Sequence, residues 1–73
     1  MVYFYCIKYY VLNTKESDIL SGTFFLESKI KTQEELEYHM HQISGTILQS
    51  LFDNDIITKE DQVRITFTAF NQV

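Results

Sequence analysis

Two histidines set two positions apart, His39 and His41, are the first residues of this chain that could do chemistry. On a strand such a pair projects to one side and can chelate a metal. On a helix the two lie about 200° apart and cannot share an ion. They fall inside a helical pattern, so no metal site is expected. Asp53, Asn54, Asp55, Glu60 and Asp61 gather oxygen ligands as a calcium loop does. That loop has its ligands at positions 1, 3, 5 and 12 and glycine at 6. Counted from Asp53, the fifth residue is Ile57, the sixth Thr58 and the twelfth Arg64, so the spacing fails. Cys6, Ser44 and Ser50 are nucleophiles by type. Nucleophilic catalysis also requires a base and an orienting group converging on a water-excluding pocket. Cys6 reads as an inert core thiol in mid-strand, and the two serines sit on the helix with no base implied. There is no phosphate-cradling glycine loop and no dinucleotide fingerprint. The expectation is a protein that is not an enzyme and takes no cofactor.

The tyrosines carry the more informative pattern. Tyr3, Tyr5, Ile7 and Tyr9 fall on one face of an N-terminal strand, and Phe25 and Phe70 are candidate cross-strand neighbours. One reading is a platform on which nucleic-acid bases stack. Such platforms pair aromatics with a basic groove. Here Arg64 is the only obvious cation, because Lys8 falls on the opposite face of its strand. The other reading is a protein interface, where Tyr and Phe are enriched. The second is preferred. Tyr3, Tyr5, Ile7, Tyr9, Phe25 and Phe70 are therefore the expected interface, in a homodimer and toward a host or viral protein partner. The alternative is a homodimer that holds a small nucleotide-like ligand between tyrosines, with Arg64 or Lys8 meeting its phosphate.

Composition narrows the class. The 73 residues allow one domain, 1–73, and 45 % of them are hydrophobic, too many for a disordered chain. Six Lys and Arg against ten Asp and Glu leave a net charge of −4, which repels phosphate and disfavours direct nucleic-acid binding. The one cysteine cannot form an internal disulfide, which suits a reducing, cytoplasmic setting. No apolar run approaches the roughly 18 residues of a membrane span, and no basic segment precedes an apolar one at the N-terminus.

The elements that would position these residues can be read in order. Val2 to Leu12 is β-branched and aromatic without a breaker, a long strand apolar on both faces. Asn13 to Asp18 is turn-prone, and Leu20 to Ser28 reads as a second strand, with Phe24 and Leu26 on one face and Thr23, Phe25 and Glu27 on the other. Thr32-Gln33-Glu34-Glu35 is a capping box, opening a helix over Gln33 to Phe52. Its apolar stripe is Leu36, Met40, Ile43, Ile47, Leu48 and Leu51. Gly45, in mid-helix, reads as tolerated weakness rather than a point of close approach. From Val63, alternation of Val63, Ile65, Phe67 and Ala69 with Arg64, Thr66, Thr68 and Phe70 marks a third strand. The expected fold is α+β: a ββαβ chain with a three-stranded antiparallel sheet, order 2-1-3, and one helix packed on one face. The tyrosine face is expected to be the one left open, because Phe4 and Cys6 have no polar tip.

The layout Tyr3-Phe4-Tyr5, Ser21-Gly22-Thr23-Phe24-Phe25, Ile30 before the capped acidic helix, and Val63-Arg64-Ile65-Thr66-Phe67 with Phe70-Asn71 resembles small uncharacterised ββαβ proteins of bacteriophages and prophages of low-GC Gram-positive bacteria. The resemblance spans most of the chain and departs in the longer stretch between helix and last strand. It implies a cytoplasmic accessory protein that binds a host protein, as inhibitors of host defence or replication do. It transfers no catalytic or ligand residues.

Overall fold

The computed structural model describes Met1–Val73. Its elements are β1 (Val2–Val11), β2 (Ser17–Phe25), α1 (Gln33–Asp53) and β3 (Val63–Gln72). The strands form one antiparallel sheet in the order β2-β1-β3, so the chain is an α+β protein of ββαβ type. It divides into two compact units, a sheet unit (Met1–Lys29 with Gln62–Val73) and a helical unit (Ile30–Asp61).

In the sheet unit β1 is central, as a strand apolar on both sides should be. The β1–β2 hairpin closes through Val11 N–H to Glu16 O and Lys15 N–H to Val11 O, both 2.8 Å. Lys15 takes the left-handed conformation, φ 61°, to make that turn. Ladder pairing then continues through the polar Ser17 and Asp18, opposite Tyr10 and Tyr9. The second strand accordingly starts three residues before the expected Leu20, because backbone pairing does not depend on side-chain polarity, and it ends at Phe25.

Residues opposite one another in an antiparallel ladder share a face, and this assigns the two faces. Tyr3, Tyr5, Ile7, Tyr9 and Val11 lie with Phe24 of β2 and with Phe70, Phe67, Ile65 and Val63 of β3. This is the buried face: Ile7 and Val11 are wholly inaccessible, and Tyr3 and Tyr9 nearly so. The expectation that the tyrosines stay open is therefore wrong. Lys8 explains why. It sits in the alternate row with Phe4, Cys6 and Tyr10, and a lone ammonium is not buried without a partner. The tyrosine row holds no charge. Phenol rings also bury well while their hydroxyls reach outward at the rim.

One irregularity lies in β3. Cys6 pairs with Ala69 and Ile7 with Phe67, so Thr68 is the extra residue of a β-bulge. Its hydroxyl donates to Cys6 O at 3.2 Å. Strict alternation would separate Phe70 from Phe67. The bulge instead returns Phe70 to the buried face, where the two rings meet at 6.0 Å. An aromatic cluster results, with Tyr3 stacked on Phe24 at 5.6 Å and Phe70 within 5.9 Å of Tyr3 and 5.6 Å of Phe24. Gly22 is imposed by this packing: a Cβ there would stand 2.7 Å from the Tyr5 hydroxyl and 2.9 Å from its ring carbon.

In the helical unit, α1 starts where the capping box places it. Thr32 is extended (φ −127°, ψ 159°), and its hydroxyl accepts from Glu35 N–H at 3.1 Å. The Glu35 carboxylate returns to Lys31 N–H at 3.0 Å, one residue before the cap. The helix ends in a Schellman arrangement: Ile56 N–H reaches Leu51 O at 2.9 Å and Asp55 N–H reaches Phe52 O at 3.1 Å, with Asp55 left-handed at φ 60°. Ile47, Leu51 and Ile57 are buried. A turn follows in which the Asp61 carboxylate accepts from Thr58 N–H at 2.7 Å and from its hydroxyl.

Candidate functional site

The sheet face opposite the tyrosine row carries the most exposed large strand side chains of the sheet unit, Phe25 and Ile19. β1 supplies Val2, Phe4, Cys6, Lys8 and Tyr10 to it. β2 adds Phe25 opposite Val2, Thr23 opposite Phe4 and Ile19 opposite Lys8. β3 adds Ala69 opposite Cys6, Thr66 opposite Lys8 and Arg64 opposite Tyr10. Phe25 is 68 % exposed, Ile19 62 % and Val2 44 %, while Phe4 and Cys6 are half-buried. The face is graded along the strands. Its Val2–Phe4 end is apolar, and its Lys8–Tyr10 end is cationic, with Arg64 beside Tyr10.

The residues expected at the interface are divided by this arrangement. Tyr3, Ile7 and Tyr9 are buried in the single chain. Tyr5 is half-buried over Gly22, 6.4 Å from the Phe24 ring. Phe70 does join the tyrosines, inside the aromatic cluster. Phe25 does not, since it lies on the opposite face across from Val2. Arg64 is exposed, and the tyrosine it meets is Tyr10, outside the expected row. Val2, Phe4, Tyr10 and Ile19 were missing from the expected set, and Lys8 entered it only as a possible phosphate contact. The signal for them was Lys8, the one charge in β1, which marks its row as the solvent-facing one. Cys6 belongs to this face as well and is half-buried rather than core.

The proton affinity of Tyr9 is altered by its surroundings. Burial raises its phenol above the ordinary 10.0, and the carboxylates of Asp18, its cross-strand neighbour, and Glu16 push it further the same way. A buried phenol held protonated by the fold is a structural group here, remote from the exposed face.

Other chemistry-bearing residues stay dispersed. His39 is half-buried and His41 exposed on α1. No three His, Cys, Asp or Glu side chains gather as metal ligands would. Of the acidic residues after α1, Asp61 is used in a local cap, accepting from Thr58 N–H. A groove of about 620 Å³ follows one side of α1, lined among others by His41, Gln42, Gly45, Gln49 and Asp53. Nothing lies within 4 Å of a Cβ built on Gly45, so packing does not impose this glycine. No helix is long and apolar enough to cross a membrane. Compared with known proteins, the chain matches no family model, no curated sequence and no solved structure.

Proposed function

We propose that this chain is a non-catalytic protein-binding module that docks its partner on the open face of the sheet. The observation that carries this reading is the exposure of Phe25, with Val2 and Phe4 beside it, and of Ile19 opposite Lys8, on a sheet whose other face is already buried. Apolar and aromatic side chains collected on one exposed face mark interaction surfaces. The unpaired Cys6 suits a cytoplasmic setting. The resemblance to small phage and prophage proteins makes a host protein the first partner to seek and its inhibition the first effect to assay. A homodimer built on the sheet would use this same face, since Tyr3, Ile7 and Tyr9 are buried within one chain.

A second reading has a specific observation behind it. Tyr10 and Arg64 are cross-strand partners with Lys8 on the same face, so a nucleotide-like ligand could stack on Tyr10 and present its phosphate to the two cations. Stabilisation by nucleotides in a thermal-shift screen, lost in Arg64→Ala, would favour it.

The test of the leading reading compares three forms of the protein as bait in host lysate. A partner held by the wild type should be lost with Phe25→Lys combined with Ile19→Lys. It should be kept with Tyr38→Lys, which changes an exposed aromatic on α1. A partner indifferent to the sheet-face pair, or lost with Tyr38→Lys alone, places the binding surface elsewhere and overturns the reading.

A further inference from the structure

Charge is unevenly divided along this chain. The helical unit holds seven of the ten carboxylates against two cations, Lys31 and Lys59. The sheet unit holds four cations, Lys8, Lys15, Lys29 and Arg64, against three carboxylates. None of those three is a strand residue of the open face: Glu16 is in the hairpin loop, Asp18 pairs with Tyr9 in the buried row, and Glu27 lies past the end of β2, two residues beyond Phe25. Lys8 and Arg64 do lie there, and their cross-strand neighbours are Ile19, Thr66 and Tyr10 rather than carboxylates. An acidic protein thus presents one face that is apolar and cationic.

Resting on the docking reading above, we propose that the segment received by this face is an acidic, amphipathic stretch of another protein, with apolar side chains on Phe4 and Phe25 and carboxylates on Lys8 and Arg64. Complementary potential selects the partner and sets its orientation. Lys8 lies four residues along β1 from Phe4 and Tyr10 lies six, which at the strand rise is about 13–20 Å. The partner's apolar anchor and its carboxylates lie that far apart. Two copies placed face to face would bring four cations into one seam with no strand carboxylate to pair them, so a second copy is the poorer occupant. A nucleic-acid strand is also poorer. Two cations neutralise little of a phosphate chain.

The probe is a pair of peptides of equal length, each with Leu and Phe at one end, carrying Glu in one and Lys in the other at the opposite end. They are titrated into the isotopically labelled full chain by nuclear magnetic resonance. The Glu peptide should shift amides of Phe4, Lys8, Tyr10, Phe25 and Arg64, and should bind about tenfold more weakly when salt is raised well above physiological strength. The double variant Lys8→Glu with Arg64→Glu should reverse the preference in favour of the Lys peptide. Both sites are exposed, and circular dichroism checks the fold of the variant. The salt response of the wild type stands as a test even if that variant unfolds. Equal binding of both peptides on the open face overturns the acidic choice while leaving the docking surface in place. Shifts confined to α1, or no shifts at millimolar peptide, overturn both. Tighter binding of an oligothymidylate than of the Glu peptide, or light scattering that shows a dimer broken by Phe25→Lys, assigns the face to nucleic acid or to a second copy and overturns the proposal.

Discussion

At the scale of single residues, the two ends of α1 are unequal. Thr32 satisfies an orphan N–H with its hydroxyl at the start. The end places Asp55, not glycine, in the left-handed region, and no basic residue stands in the last turn to meet the negative end of the helix dipole. Thr32→Ala should therefore cost about 1 kcal/mol, and Asp55→Gly should stabilise by about 1 kcal/mol. Denaturant melts of the two variants give both signs, and an Asp55→Gly protein less stable than the parent contradicts the assignment of that turn. Tyr9 supplies a pH dependence. Its folded phenol titrates above the ordinary value through burial and the nearby Asp18 and Glu16. Between the unfolded and folded values the native state keeps a proton that the unfolded chain has released, so stability falls as pH rises through that window. Below the unfolded value the contribution is complete. Tyr9→Phe should remove a late-titrating phenol from the ultraviolet absorbance titration, and Asp18→Asn should bring that step to lower pH.

At the scale of elements, the bulge in β3 decides which aromatics meet. Because Thr68 is unpaired, deleting it leaves Phe67 opposite Ile7, Ala69 opposite Cys6 and Phe70 opposite Tyr5, all on their present faces. Deleting Thr66 instead would force the residues on one side of the gap onto the wrong face, since a one-residue slip inverts a strand. The Thr68 deletion should fold with a melting temperature close to the parent, losing only the bond to Cys6 O, whereas the Thr66 deletion should not fold. Thermal melts of both proteins decide the matter: an unfolded Thr68 deletion would mean that the bulge is itself required for packing.

At the scale of the whole molecule, the two sheet faces predict opposite responses to the same substitution. Ile7 is wholly buried, and an unpaired carboxylate there costs several kcal/mol, comparable to the roughly 3–5 kcal/mol a core of this size supplies. Ile19, on the open face, should tolerate glutamate within about 0.5 kcal/mol. Circular dichroism should accordingly find Ile7→Glu unfolded rather than a folded monomer released from a dimer, and Ile19→Glu native. A folded Ile7→Glu protein would reinstate the tyrosine row as a surface.

Local signals in the chain determined the element order, the helix start at Thr32, the apolar stripe of α1 and the pairing of a 2-1-3 sheet, because capping, periodicity and connection length are properties of neighbouring residues. The inward set on β3, Val63, Ile65 and Phe67, follows from alternation for the same reason. Which row of β1 turns inward was legible too, but in Lys8 rather than in the aromatics: a strand apolar on both faces is sorted by the cost of burying its one ammonium, not by small differences between Phe, Cys and Tyr. The bulge at Thr68, the return of Phe70 to the tyrosines, the separation of Phe25 from them and the meeting of Arg64 with Tyr10 were decided only in the tertiary structure. Each depends on the register between strands far apart in the chain, and a single unpaired residue resets that register without leaving a mark in the composition around it.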